Sequence, residues 1–127
     1  MADDHGKLIK DLEGQFRPVL DNSADGVYLW LDETHMICNE KLAKMFGYKN
    51  AKEFSRVSPF LDKFVAEKDQ EMFSKQYHGH IATLSRPARF RFHGLRKGGQ
   101  KFLAETDMIP ITFQGHAIAY HFVRKVK

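Results

Sequence analysis

Asp25 to Tyr48 limits the fold of this chain more than any other stretch. It opens with Asp25-Gly26, continues through the β-branched, aromatic and aliphatic run Val27–Leu31, and turns at Asp32-Glu33-Thr34-His35. A second apolar run, Met36-Ile37-Cys38, leads to Asn39; Leu42, Ala43, Met45 and Phe46 then recur at helical spacing before Gly47-Tyr48. Turn formers bound the first run on both sides, which predicts a strand, a tight turn and a second strand. Asn39 is suited to cap the following short helix, with Glu40 adding negative charge at its positive end. Gly47 can take the left-handed backbone that stops it. On the first strand Val27, Leu29 and Leu31 share one face, and Tyr28 and Trp30 share the other. Both faces are apolar, so both need cover.

Upstream, Leu8, Leu12, Phe16 and Val19 or Leu20 recur at helical spacing. Pro18 lacks a backbone donor and predicts a kink or restart near Arg17. This helix either lies over the chain's own sheet or contacts a second copy. Downstream, Asn50 and Glu53 have capping-box spacing. Ser58-Pro59 has the form of a cap with proline at the first helical position, starting Phe60–Phe64. Glu67–Leu84 is the longest helical pattern, with Met72, Phe73, Gln76, Tyr77, His80, Ile81 and Leu84 facing inward.

Strands follow. Arg89, Arg91 and His93 alternate with Phe90 and Phe92, and Gly98-Gly99 predicts a hairpin turn. Phe102, Ala104, Thr106 and Met108 alternate with Leu103, Glu105, Asp107 and Ile109. Pro110 is expected to end the regular pairing or to mark an edge. A turn at Gln114-Gly115 leads into a last strand, His116–Val123. The expected fold is α+β: a five-stranded antiparallel sheet with helices inserted between strands two and three. Residues 1–22 form an N-terminal flanking helix and 23–127 the domain proper.

A chain of 127 residues suits one domain with one real core, and eleven Phe make that core aromatic-rich. The single cysteine, Cys38, excludes an internal disulfide and fits a reducing compartment. No apolar run approaches the roughly 20 residues a membrane span needs. The acidic opening lacks the apolar core of a secretory signal, so a cytoplasmic location is expected. A net charge of +4 is mild and does not argue for specific nucleic-acid recognition. Arg86, Arg89, Arg91, Arg96, Lys97 and Lys101 gather around one hairpin. Alternation nevertheless puts Phe90 and Phe92 on the face opposite the arginine row, where they cannot stack on bases held by those arginines.

The order Asp-Gly, apolar strand, second strand ending in Asn, short helix and Gly-Tyr resembles a PAS sensor domain. Ala66-Glu67-Lys68-Asp69 resembles the acidic start of that family's long connecting helix, and Leu95-Arg96-Lys97-Gly98-Gly99 its basic, glycine-bearing hairpin. The resemblance spans roughly Phe16 to Val126. It implies a sensing or interaction module that holds a small ligand between sheet and helices or dimerises, and passes a signal to an output domain. Many PAS domains end in Asp-Ile-Thr just past an Arg; here Arg124 is followed by Lys125-Val126-Lys127.

The expected pocket residues are Phe46, Phe73, Tyr77, His80, Phe90, Phe92, Phe102 and Met108. The expected partner is a second copy, joined through the N-terminal helix and an outer sheet face bearing Tyr28 and Trp30. Haem-binding PAS domains resemble this chain in placing a histidine on the long helix, so His80 is either an axial haem ligand or a core histidine. The helix zone that carries Cys between Asn and Arg in light-sensing relatives holds Phe64-Val65-Ala66-Glu67 here, which argues against covalent flavin chemistry. His93 and His121 are candidate cross-strand neighbours, expected to be surface histidines rather than zinc ligands. The sequence has no nucleophile elbow, phosphate loop or Cys-x-x-Cys pair. A small cup-fold enzyme would need a buried carboxylate, with Asp107 turned inward.

Overall fold

The computed structural model describes residues 4–32, 34–83 and 87–126, with the backbone alone for residues 4 and 80–83. Two helices come first, α1 (Asp4–Gln15) and α2 (Arg17–Asn22), separated where Pro18 stands in the first turn of α2. Strands β1 (Gly26–Asp32) and β2 (His35–Cys38) form a hairpin. Four helices follow: α3 (Glu40–Met45), α4 (Ala51–Ser55), α5 (Phe60–Phe64) and α6 (Glu67–Thr83). Strands β3 (Ala88–Leu95), β4 (Lys101–Phe113) and β5 (His116–Lys125) complete one antiparallel sheet in the order β2-β1-β5-β4-β3. This is the expected α+β architecture.

Local chemistry sets the joints. Asn39 accepts from Leu42 N at 3.0 Å as the cap of α3, and the same oxygen accepts from Val27 N at 3.0 Å. Its amide donates to Asp25 O at 3.1 Å, so one side chain joins helix, strand and the loop before the strand. Asn50 caps α4 by accepting from Glu53 N at 2.8 Å, and Glu53 accepts from Lys49 N at 2.7 Å. The cap of α5 falls one residue later than expected, on Pro59. Its extended backbone keeps it outside the helix, and no side chain bonds there. Pairing of β3 with β4 stops at Ala88↔Met108, while pairing of β4 with β5 continues through Pro110↔Ala119. Among the described residues, Pro110 therefore lies past the last β3–β4 pair, where β4 is paired with β5 alone.

The sheet separates two apolar layers. On one side α3–α6 pack with Tyr28, Met36, Cys38, Phe92, Ala104 and Val123. On the other, Leu8 and Leu12 of α1 and Leu20 of α2 pack with Val27, Leu29, Ile37 and Ile118. The amino-terminal helices thus cover this chain's own sheet. They meet the aliphatic face of β1, and the expectation that Tyr28 and Trp30 lie on an outer, partner-facing surface is corrected. Both belong to the helix-covered side; Tyr28 is 3% exposed and the Trp30 ring meets Tyr77 edge-on at 5.4 Å. Alternation pairs these two residues correctly but does not say which face the longer helices cover.

The arginine row faces outward as alternation requires. Arg89 bonds Asp107 at 2.6 Å, Arg91 bonds Glu105 at 3.3 Å, and Arg124 reaches Glu105, Asp107 and Asp25. Two more cations of the hairpin brace α3. Arg96 donates to Met45 O at 2.8 Å, and the Lys97 amide donates to Phe46 O at 2.8 Å.

Candidate functional site

Between the inner face of the sheet and helices α5 and α6 lies a partly open cavity of about 100 Å³. Tyr28 and Trp30 of β1 and His121 of β5 form its floor. Phe60 and Leu61 of α5, with Phe73, Ser74, Tyr77 and His78 of α6, form its wall. Register brings the floor together: Tyr28 stands opposite His121, and Trp30 opposite Ala119. The Tyr28 and His121 rings stack at 4.1 Å with their planes 1° apart. Tyr77 and Phe73 continue the stack at 5.8 and 6.5 Å from the imidazole.

In and beside this floor lie polar atoms that lack a partner among the described residues. Neither ring nitrogen of His121, nor the Tyr28 hydroxyl, nor Thr106 Oγ1 makes a hydrogen bond of acceptable geometry among the described residues, and all are buried. Thr106 sits diagonally from His121 on the same face, since Met108 is directly opposite. Buried polar atoms in folded proteins are almost always paired, and an orphan costs about 1–3 kcal/mol. Burial drives the His121 imidazole from 6.5 down to about 3, outweighing the opposing pull of the Ala119 and Tyr28 backbone, so the ring is neutral at physiological pH. A neutral imidazole offers one donor and one acceptor. Burial, and then the neighbouring Tyr77, hold the Tyr28 phenol well above its usual value, so it too is neutral and can give or take a hydrogen bond. Tyr77 is pushed up to about 12 by burial, and its hydroxyl donates to Trp30 O at 3.4 Å.

Of the eight pocket residues expected from sequence, Phe73 and Tyr77 line the cavity. Phe90 and Phe92 stand behind Phe73, at 5.5 and 5.0 Å. Phe46 and Phe102 meet each other at 5.0 Å at the opposite end of the core. There Phe46 also touches Phe54 and Phe64, which stack at 4.1 Å, so that end is filled. Met108 is fully buried in the sheet next to His121. The side chain of His80 lies outside the described residues, as do those of Ile81 and Leu84. Sequence reasoning missed Tyr28, Trp30 and His121. His121 was expected at the surface, yet it is fully buried, and it pairs with Tyr28 and Met108 rather than with His93. His93 instead stands opposite Leu103 and bonds Asp69 at the start of α6 through its ring and its amide. The signal for His121 was its place in Ala119-Tyr120-His121-Phe122-Val123, in step with two small apolar residues.

Asp107 points outward to Arg89 and Arg124. Those two cations, Arg89 first, outweigh partial desolvation and hold its carboxyl below the usual range. It is not the inward, proton-holding carboxylate that the enzyme alternative requires.

No sequence-family model and no curated protein sequence matches this chain. Its backbone is similar to solved structures. A PAS domain of a protein from Colwellia psychrerythraea aligns with a TM-score of 0.69 at 15% identity, covering 91% of this chain and 98% of that one. A PAS domain from a two-component sensor histidine kinase aligns at 0.64 and 16% identity over 92% and 99% of the two chains. The PAS domain of a LuxR-family transcriptional regulator from Burkholderia thailandensis, in complex with ethanol, aligns at 0.66 and 15% identity over 87% and 96%. Five antiparallel strands in the order 2-1-5-4-3, with the helices spliced in after the second, give this chain the PAS fold.

Proposed function

We propose that this domain is a sensor module that takes up a small neutral molecule on the Tyr28–His121 floor and passes its occupancy to an output domain. The observation that carries this is the set of polar atoms, orphaned among the described residues, in the floor of an otherwise aromatic hollow. A ligand with one or two hydrogen-bonding groups, seated with a shift of the buried rings, would satisfy the floor atoms, while Trp30, Phe60 and Phe73 enclose its apolar part. Size sets the class. A cavity of about 150 Å³ holds benzene, so a cavity of this size takes a molecule of a few heavy atoms, such as a short alcohol, amide or ketone. Two neutral groups that both donate and accept favour an uncharged ligand over an ion. The ethanol complex of the structurally similar LuxR-family domain supports the same class. A porphyrin is far larger than this cavity, so haem is not the ligand proposed for it; the side chain of His80, on which a haem reading rests, lies outside the described residues.

A homodimer is the second reading. It is favoured by half-buried Ile109, Ile111, Tyr120 and Phe122, which share the outer sheet face with the part that α1 and α2 cover. The flanking-helix and domain division at residue 22 belongs to this proposal, with the helix as the element that carries the signal.

Native mass spectrometry of the purified protein reads ligand and subunit number together. Amide and side-chain NMR during an ethanol titration then locates binding. The expected result is saturable shifts at Tyr28, Trp30, Tyr77 and His121, lost in the double variant Tyr28→Phe, His121→Leu. Shifts that neither saturate nor centre on these residues, with no bound molecule in the mass spectrum, refute the proposal.

A further inference from the structure

A second cluster lies on the other side of the sheet, where α1 begins. His5 Nδ1 is 2.5 Å from Asp32 Oδ2, and His35 Nδ1 is 2.9 Å from Asp32 Oδ1. One carboxylate at the end of β1 is thus shared by an imidazole from α1 and one from β2. Potential ligand atoms of His5, Asp32 and His35 all fall within 4.8 Å of one another, the one such group among the described residues. His116, the first residue of β5, adds a third ring: its centroid is 5.7 Å from that of His5, which is 5.9 Å from that of His35. Two imidazoles on one tetrahedral ion, with metal–nitrogen bonds of about 2.0–2.1 Å, hold their centroids about 5 Å apart. Small side-chain rotations cover the difference. These side chains keep solvent access, at 42%, 32% and 20% for His5, Asp32 and His35, so an ion can reach them.

We propose that His5, Asp32 and His35 bind a divalent transition-metal ion of the zinc class, with His116 within reach of the fourth position, and that the ion fastens α1 to the sheet. The donor set selects the class. Imidazole nitrogens with one carboxylate suit zinc, nickel, cobalt or copper, whereas calcium and magnesium take mainly oxygen ligands. The location supplies the consequence. His5 stands at the amino end of α1, one and two turns before Leu8 and Leu12, which bury their side chains against the outer face. An ion held jointly by α1, β1 and β2 makes the seating of that helix depend on metal.

Chelator-stripped protein is titrated with zinc chloride by calorimetry and with cobalt chloride by visible absorption. Expected are one ion per chain, visible cobalt bands of a four-coordinate nitrogen–oxygen site, and no heat from magnesium chloride. His5→Ala, at a partly exposed position that leaves the core intact, should weaken zinc binding about a hundredfold or more, since loss even of outer-shell partners costs 10–100-fold. His93→Gln, across the sheet, should leave the affinity as it was. Amide exchange of α1 should slow when zinc is added to the parent and not to His5→Ala. A parent protein that binds no stoichiometric ion, or one whose affinity His5→Ala leaves unchanged, overturns the proposal.

Discussion

His121→Leu isolates the feature on which the site depends. In the parent the ring is fully buried and titrates near 3, whereas an unfolded-chain histidine titrates near 6.5. The sign follows from proton counting. Below about pH 6.5 the unfolded chain binds a proton that the folded chain refuses, so acid favours unfolding. The native preference is complete above the unfolded value and erodes as pH falls from 6.5 toward 3. Each pH unit in that window is worth about 1.36 kcal/mol, so moving from pH 7 to pH 5 removes roughly 2 kcal/mol through this one ring. Leucine has no proton to bind and escapes that loss.

Urea unfolding of parent and variant at both pH values measures it. The expected double difference is about 2 kcal/mol in favour of the variant at low pH. Asp32, Asp69 and Asp107 have lowered carboxyl values but appear in both proteins, so they cancel to the extent that distant sites are additive. At pH 7 the variant should lie within about 1.5 kcal/mol of the parent or above it, because removal of two orphaned nitrogens offsets the lost stacking with Tyr28. Parallel loss of stability in the two proteins between pH 7 and pH 5 would show that the ring takes up its proton when folded, and the neutral floor of the cavity would be refuted.

Two further outcomes test the scaffold. Asn39→Ala removes three bonds, the buried ones to Leu42 N and Val27 N and the part-buried one to Asp25 O, and should cost about 2–3 kcal/mol in chemical unfolding. Gly94→Ala places a methyl 2.8 Å from the Phe102 ring and 3.1 Å from Phe46, so a loss of about 1–3 kcal/mol is expected; a smaller Phe102 side chain in the double variant should recover part of it.

Sequence disclosed those parts of the fold that local chemistry decides. Asn39 signals the cap, Pro18 the break between α1 and α2, and the Gln114-Gly115 turn the β4–β5 hairpin, because each acts within a few residues. Charge also orients β3, where Arg89 and Arg91 cannot face the core. On β1 alternation groups Tyr28 with Trp30, but with both faces apolar nothing local chooses between α1 and α6 as the cover. On β5 the hydrophobic signal misleads: Tyr120 and Phe122 are the larger apolar residues, yet they lie outside and His121 lies within. Long-range register, with Tyr28 opposite His121 opposite Met108, makes that choice. His5 meets Asp32 and its neighbour His35 across 27 or more residues of chain, which no local pattern reports.

The two ends of the helical layer are held differently, and this bears on how occupancy could be felt. At the Phe46 end Phe54, Phe64 and Tyr48 fill the space, and Arg96 and Lys97 pin the end of α3 by its carbonyls. The start of α6 is tied by His93 and Asp69 next to Gly94, which packs on Phe46 and Phe102; at the cavity the helix is held by the long Tyr77–Trp30 bond at 3.4 Å. A packed interior resists continuous deformation, so the proposed ligand, seated between Trp30, Phe73 and Tyr77, would act on the half with volume to give. The element it would displace is α6 relative to β1. Across β1 from that contact lie Val27 and Leu29, against which α1 is packed, so a shift of the strand reaches the flanking helix through a single layer of the sheet.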